Sequence, residues 1–190
     1  MPRKAEYDRD DLIDRARQIF WRQGWAGTSL KDLEAVLNMK PGSFYAAFGS
    51  KDALFELAMD KYAADGAKRL GDLAESLGAF AALKQHPKRI IEDPDAPAKA
   101  CMLAKTVQEL RGKDHPLADR ARDYLLAAEN RFAILFAKAQ AAEDIGAEHD
   151  PIALARRYQS DLIGLRVMSD LDADAGLSVA DDIAESLDRL

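Results

Sequence analysis

Apolar side chains recur at three- and four-residue steps along most of the chain, and no useful stretch alternates apolar with polar. Such spacing lines up one face of a helix, whereas alternation would line up one face of a strand. The pattern therefore predicts an all-α chain of about nine helices. Ile13, Ala16, Ile19 and Phe20 make the stripe of a first helix over about 10–23, which Gly24 ends. Thr28 is the expected N-cap of a second, with Leu30, Leu33 and Leu37 inward. After a break at Asn38, Pro41 opens a short third helix reaching about Phe48, and Ser50 caps a fourth.

Longer helices follow. The fourth is expected to end between Gly71 and Gly78, and a fifth over about 79–91 to kink or break at Pro87. Residues 92–97 read as a loop, and a sixth helix covers about 98–111. A seventh runs from Pro116 to near Gly146, and an eighth from Pro151 to about Leu171. Ser178 with Asp181 suggests a capping box opening a ninth.

Within this pattern, residues 10–48 form three short helices with a connection of about three residues between the second and third. That is the helix-turn-helix arrangement, whose second helix enters a DNA major groove. Asn38 tolerates the left-handed backbone that such a turn needs. Gly42 and Ser43 are small enough for close approach to a surface. Phe44 and Phe48 share one face, which leaves Tyr45 on another. Its hydroxyl is either a phosphate ligand or a cap on the small core.

Charge sharpens this reading slightly. Residues 1–51 carry nine Lys/Arg against seven Asp/Glu, a net of +2, while the remainder is −8. A basic head on an acidic body fits better than a protein that coats nucleic acid over its whole surface. The 190 residues are 48% hydrophobic and 32% charged, as in a soluble globular chain. The longest apolar run, Phe132 to Ala137, is far short of a membrane span of about 20 residues. The first eight residues have no apolar core, so no secretory leader is expected. With Cys101 the single cysteine, no internal disulfide forms, and a reducing, cytoplasmic setting is expected.

The run Phe20-x-x-x-Gly24-x-x-x-Thr28-Ser-Leu-Lys-Asp-Leu33, continued by Met39-Lys-Pro-Gly42-Ser-Phe-Tyr45-Ala-Ala-Phe48-Gly-Ser-Lys51-Asp-Ala-Leu54, resembles the DNA-binding domain of the tetracycline-repressor (TetR/AcrR) family. The likeness covers roughly residues 10–55. Looser similarity to the ligand and dimer domains of one branch lies in residues 101–110, 150–155 and 164–167. Asn38 stands where the family commonly has Gly, and Glu34 and Leu37 stand where it has alanines.

The resemblance implies an all-α homodimer, a small-molecule effector, double-stranded operator DNA as partner, and repression as the usual role. It implies residues 1–51 as the DNA-binding domain and 52–190 as the effector and dimer domain. Thr28 and Ser29 match phosphate contacts, and Lys40, Pro41, Gly42, Ser43 and Ala46 the groove-facing surface. Tyr45 matches a backbone-contacting tyrosine and Lys51 a phosphate-binding lysine. The basic arm at residues 1–4 either frays or reaches a minor groove.

In the C-terminal part, Met59, Tyr62, Met102, Tyr124, Phe132 and Met168 are bulky and mismatched, so they either fill a core or line an effector cavity. Lys105, Thr106 and Arg166 are the polar groups expected to orient a ligand, with Lys105 and Arg166 alternatively in surface ion pairs. Apolar side chains of the eighth helix point several ways, so Leu162, Ile163, Gly164, Leu165, Val167 and Met168, joined by Val179, Ile183 and Leu187, are expected to pair with a symmetry mate. Burial within one chain is the alternative.

No metal, cofactor or catalytic set is expected. His86, His115 and His149 precede prolines by one or two positions and read as residues of helix starts. Cys101 reads as a small buried hydrophobe, and Glu109 and Arg111 as a solvated helix end. No phosphate-binding glycine loop or hydrolase motif is present. A regulator that activates, or acts without effector, needs the same head. A helical-bundle enzyme would need a catalytic constellation that cannot be assembled here.

Overall fold

Asp8 closes the open end of the first helix, its carboxylate accepting the N–H groups of Asp10 and Asp11. The computed structural model describes residues 8–190. Among these it has nine α-helices: α1 (Arg9–Gln23), α2 (Leu30–Leu37), α3 (Pro41–Phe48), α4 (Lys51–Leu77), α5 (Ala79–Ile91), α6 (Met102–Leu110), α7 (Pro116–Ala141), α8 (Pro151–Leu171) and α9 (Ala173–Leu187). A single 3-10 turn, Arg111–Lys113, joins α6 to α7.

Several boundaries differ from the sequence reading for local chemical reasons. Ser29, not Thr28, caps α2, because Ser29 and Asp32 bond reciprocally in a capping box. At α9 the carboxylate of Asp172 accepts the N–H groups of Asp174 and Ala175, so the helix starts at Ala173 and Ser178 sits inside it. Residues 98–100 stay outside α6, which begins after Cys101. At the far end of α7, Ala141 is the last helical residue, short of Gly146.

Pro87 lies inside α5, which runs on unbroken to Ile91. A proline leaves the carbonyl four residues earlier without its helical donor. Here that carbonyl belongs to Leu83, and the Tyr158 hydroxyl of α8 donates to it at 2.7 Å. The donor that the helix lacks is supplied from a neighbouring helix.

Two apolar clusters hold the fold. One joins α1–α3 to the start of α4, to α6 and to the start of α7, around Phe20, Leu33, Leu37, Phe44, Phe55 and Leu110. Phe20 meets Phe55 edge-on at 4.7 Å, and Trp21 donates its indole N–H to the Ala100 carbonyl at 2.6 Å. Each such ring contributes about 1.5–3 kcal/mol by burial. The other cluster is formed by α5, α7, α8 and α9 around Leu83, Phe136, Tyr158, Leu165 and Ile183. The interior between α4, α5, α7 and α8 is incompletely filled, and that gap matters below.

Candidate nucleic-acid interface and interior cavity

The turn between α2 and α3 is built as its residues demand. Asn38 takes φ 51° and ψ 46°, the left-handed region, and the Met39 N–H donates back to the Glu34 carbonyl at 3.0 Å. Pro41 then occupies the first turn of α3. Phe44 and Phe48 are buried, which turns Lys40, Pro41, Gly42, Ser43, Tyr45 and Ala46 to the outside together. Tyr45 is 48% exposed. A Cβ added at Gly42 would meet no atom of the chain within 4 Å. No packing contact within the chain requires glycine there.

The other expected DNA contacts are placed differently. Thr28 is buried and its hydroxyl donates to the Gly24 carbonyl at 2.7 Å, so its side chain does not face solvent. Ser29 is exposed, but its hydroxyl donates to the Asp32 carboxylate at 2.6 Å, which holds that carboxyl below its ordinary range. Lys51 donates to the carbonyls of Trp25 (2.9 Å) and Thr28 (3.2 Å), with its ammonium 3.9 Å from the Trp25 ring centroid. Partial burial lowers its pKa, against the pull of Asp52 and Glu109. An ammonium has three protons, so one remains for an outside partner. The arm at residues 1–4 falls outside the described residues.

Beneath this head lies a junction that the sequence reading missed. The Glu109 carboxylate accepts the N–H of Ala26 at 2.6 Å and of Trp25 at 3.1 Å. One turn earlier on α6, Lys105 donates to the Arg22 carbonyl at 3.0 Å. Glu109 is therefore no solvated helix end, and Lys105 lies outside the cavity lining; Glu109 binds the α1–α2 connection and Lys105 the last turn of α1. Trp25 also donates its indole N–H to Asp52 at 2.7 Å, and its ring stands 4.8 Å from that of His115.

The interior gap is a cavity of about 130 Å³. Of the residues expected around an effector, Tyr62, Tyr124, Phe132 and Arg166 line it. Met59, Met102 and Thr106 do not; they are buried in the head-side core, where the Thr106 hydroxyl donates to the Met102 carbonyl at 2.8 Å. Met168 is exposed on the other side of α8. Cys101, His86, Arg131 and Gln159 line the cavity and were not expected there. Cys101 is half-buried, with its sulfur 3.6 Å from the Tyr62 hydroxyl.

His86 lies within α5, not at a helix start, and is half-buried in the cavity wall. Burial, with added repulsion from Arg166 and Arg69, pushes its pKa down to about 3. Tyr62 is raised chiefly by burial. Tyr124 is raised to about 12 by burial and by its hydrogen bond to Asp60.

The expected pairing surface divides in two. Leu162, Leu165, Ile183 and Leu187 are buried in the chain's own core, because α5, α7 and α9 cover them. Ile163 faces the cavity, and Val179 packs partly against the same core. Gly164, Val167 and Met168 remain exposed, together with Leu171, which is 76% exposed. Their spacing puts these four on one face of α8.

Among the described residues no group of three or more His, Cys, Asp or Glu is placed to hold a metal ion, and no helix is long and apolar enough to cross a membrane.

Comparison with known proteins bears on the three-helix head and on the chain as a whole. The family model for bacterial regulatory proteins of the tetR family matches residues 12–58. The HTH-type transcriptional regulator YezE of Bacillus subtilis is 30% identical over 196 residues, covering 95% of this chain and 100% of that protein. The HTH-type transcriptional repressor ComR of Escherichia coli is 38% identical over 60 residues, 32% of this chain and only 29% of that protein. Among solved structures, a cysteine mutant of the TetR-family regulator CifR, complexed with 26bp double-strand operator DNA, is similar with a TM-score of 0.75 at 27% identity, over 97% of this chain and 99% of that one.

Proposed function

Because this chain belongs to the tetR family of bacterial regulatory proteins, we propose that it is a homodimeric repressor, working in the cytoplasm and released from its operator by a small molecule held in the interior cavity. The chain is a DNA-binding transcriptional regulator, and α3 is its groove-facing helix. In this reading Lys40, Gly42, Ser43, Tyr45 and Ala46 meet the duplex, backbone N–H groups in the first turn of α2 meet phosphate, and Lys51 adds its remaining proton. Few long polar side chains reach the groove, so DNA shape carries part of the recognition.

One observation supports the effector part above all. The first turn of α6 reaches the cavity through Cys101 and Leu103, and its last turns hold the head through Lys105 and Glu109. A ligand that shifts this short helix moves the α1–α2 connection, and with it the spacing of two heads in a dimer. Selection from random duplex DNA with the full chain tests the DNA-binding half of the proposal. It should return two half-sites related by a two-fold, centred about 34–36 Å apart or a multiple of that. Recovery of isolated half-sites, or of no common sequence, would overturn the dimeric reading.

A further inference from the structure

The charges around the cavity indicate what kind of molecule it holds, an inference that rests on its being the effector site. We infer that the cavity takes a small amphiphilic anion, an organic acid whose carboxylate meets Arg166 while its hydrocarbon body lies against Leu70, Leu103 and Phe132.

Two arginines, Arg131 and Arg166, line the cavity, and no carboxylate does. Arg166 is half-buried, and its one bond within the described residues runs from Nη1 to the Lys99 carbonyl at 2.9 Å. A guanidinium has five N–H donors, so most of its capacity is unspent. A cation set against an apolar wall without a counter-ion is costly, and an anionic ligand relieves that cost.

The other polar groups agree. His86, also in the wall, stays neutral at physiological pH, since burial and the arginines hold its pKa down. Its environment is thus already positive without its own charge. Gln159 has a buried Oε1 with no hydrogen-bond partner among the described residues. Turning that amide over presents its N–H groups to an anion instead.

The cavity opens past Tyr62, His86 and Arg166 into a wider groove. In the groove, Arg17 is paired with Asp14 and Asp65, and Lys84 with Asp188. Lys88 and Arg89 line it as well, with Asp72, Glu92, Asp93, Asp95 and Asp181. The groove thus carries both signs of charge, whereas the cavity lining carries only arginines. An acid passing inward leaves a mixed surface for a cationic one. A volume of about 130 Å³ is close to that of an engineered apolar cavity of about 150 Å³ that binds benzene. That suits a short hydrocarbon body, while a long acyl chain would have to run out into the charged groove.

The test is calorimetric titration of the full chain with hexanoate, its neutral counterpart hexanamide, and dodecanoate. Binding of each to wild type, Arg166→Gln and Arg166→Lys is measured, and operator affinity is followed by anisotropy. Hexanoate should bind wild type at least about tenfold more tightly than hexanamide. Arg166→Gln should erase that preference and Arg166→Lys should largely keep it. Dodecanoate should bind worst. The wild-type comparison needs no variant, so it stands even if Arg166→Gln fails to fold.

Equal binding of hexanoate and hexanamide would overturn the inference, as would no binding of hexanoate at millimolar concentration. If hexanamide also lowers operator affinity, the effector reading of the cavity survives that failure. If hexanoate shows the charge preference but leaves operator affinity unchanged, the anion site stands and the effector reading fails.

Discussion

Glu109 and Ala26, 83 positions apart, are joined by a 2.6 Å hydrogen bond from the Ala26 N–H to the carboxylate. The second oxygen takes the N–H of the preceding residue, Trp25. One carboxylate of α6 thus fixes two successive peptide groups in the connection leading into the DNA-facing helices. Gly24 closes the arrangement: at φ 80° it takes a backbone few side chains accept, and a Cβ there would stand 2.7 Å from the Glu109 carboxylate.

Glu109→Gln keeps one acceptor and loses the charge. Hydrogen bonds to charged groups contribute about 1.5–3 kcal/mol, so a loss near the lower end is expected. In a chain of this length, 1 kcal/mol lowers the melting temperature by about 2–4 °C. Operator affinity should fall as well, since the head is no longer held. Melting and operator titration of the same sample check both, and unchanged values would mean that the clamp carries no load.

The exposed face of α8 makes its own prediction. Gly164 has no atom within 4 Å of the position a Cβ would take. Gly164→Leu should leave a single chain intact, even favouring the helix by about 0.5–1 kcal/mol. It should still block close approach of a symmetry mate. Val167→Arg and Leu171→Glu should do the same. Sedimentation at micromolar concentration should give a dimer for wild type and monomers for these variants. A monomeric wild type would remove the pairing surface altogether.

Burial of His86 fixes the sign of a pH effect. Its pKa is about 3 in the fold and about 6.5 in the unfolded chain. Between those values the unfolded chain takes up a proton that the fold refuses. Stability from this residue is complete above pH 6.5 and is lost as pH falls toward 3. The loss at pH 5 is up to about 2 kcal/mol. Denaturant unfolding of wild type should weaken from pH 7 to pH 5 by about that much more than His86→Gln. Equal losses in the two proteins would mean that His86 is solvated.

Which parts of this molecule can be read from sequence follows from where each determinant lies. Helix ends at Gly24, Asn38, Pro41 and Ser50 are set by the residue on the spot, so the three-helix head is legible. The continuation of α5 through Pro87 depends on Tyr158, which no local pattern contains. The same distance hides the Glu109 clamp. Periodicity marks which side chains turn inward, but not whether they meet a filled core or a gap. Met59 and Met102 turn inward to fill a core, while Tyr62 and Phe132 turn inward to line a cavity. Ile183 and Leu187 have an apolar stripe that looks the same whether a partner chain or the chain's own helices cover it, and its own helices do.

The most direct check on the whole account is operator affinity across a salt series, for wild type, Tyr45→Phe and Lys51→Ala. Each phosphate neutralised contributes about −0.9 to the slope of log affinity against log salt. Wild type should show a slope of several units. Lys51→Ala should bind every sequence more weakly and flatten the slope by about 1, and Tyr45→Phe should weaken binding with a smaller change in slope. Affinity that barely varies with salt, and that survives both substitutions, would mean that DNA does not lie on the α3 face.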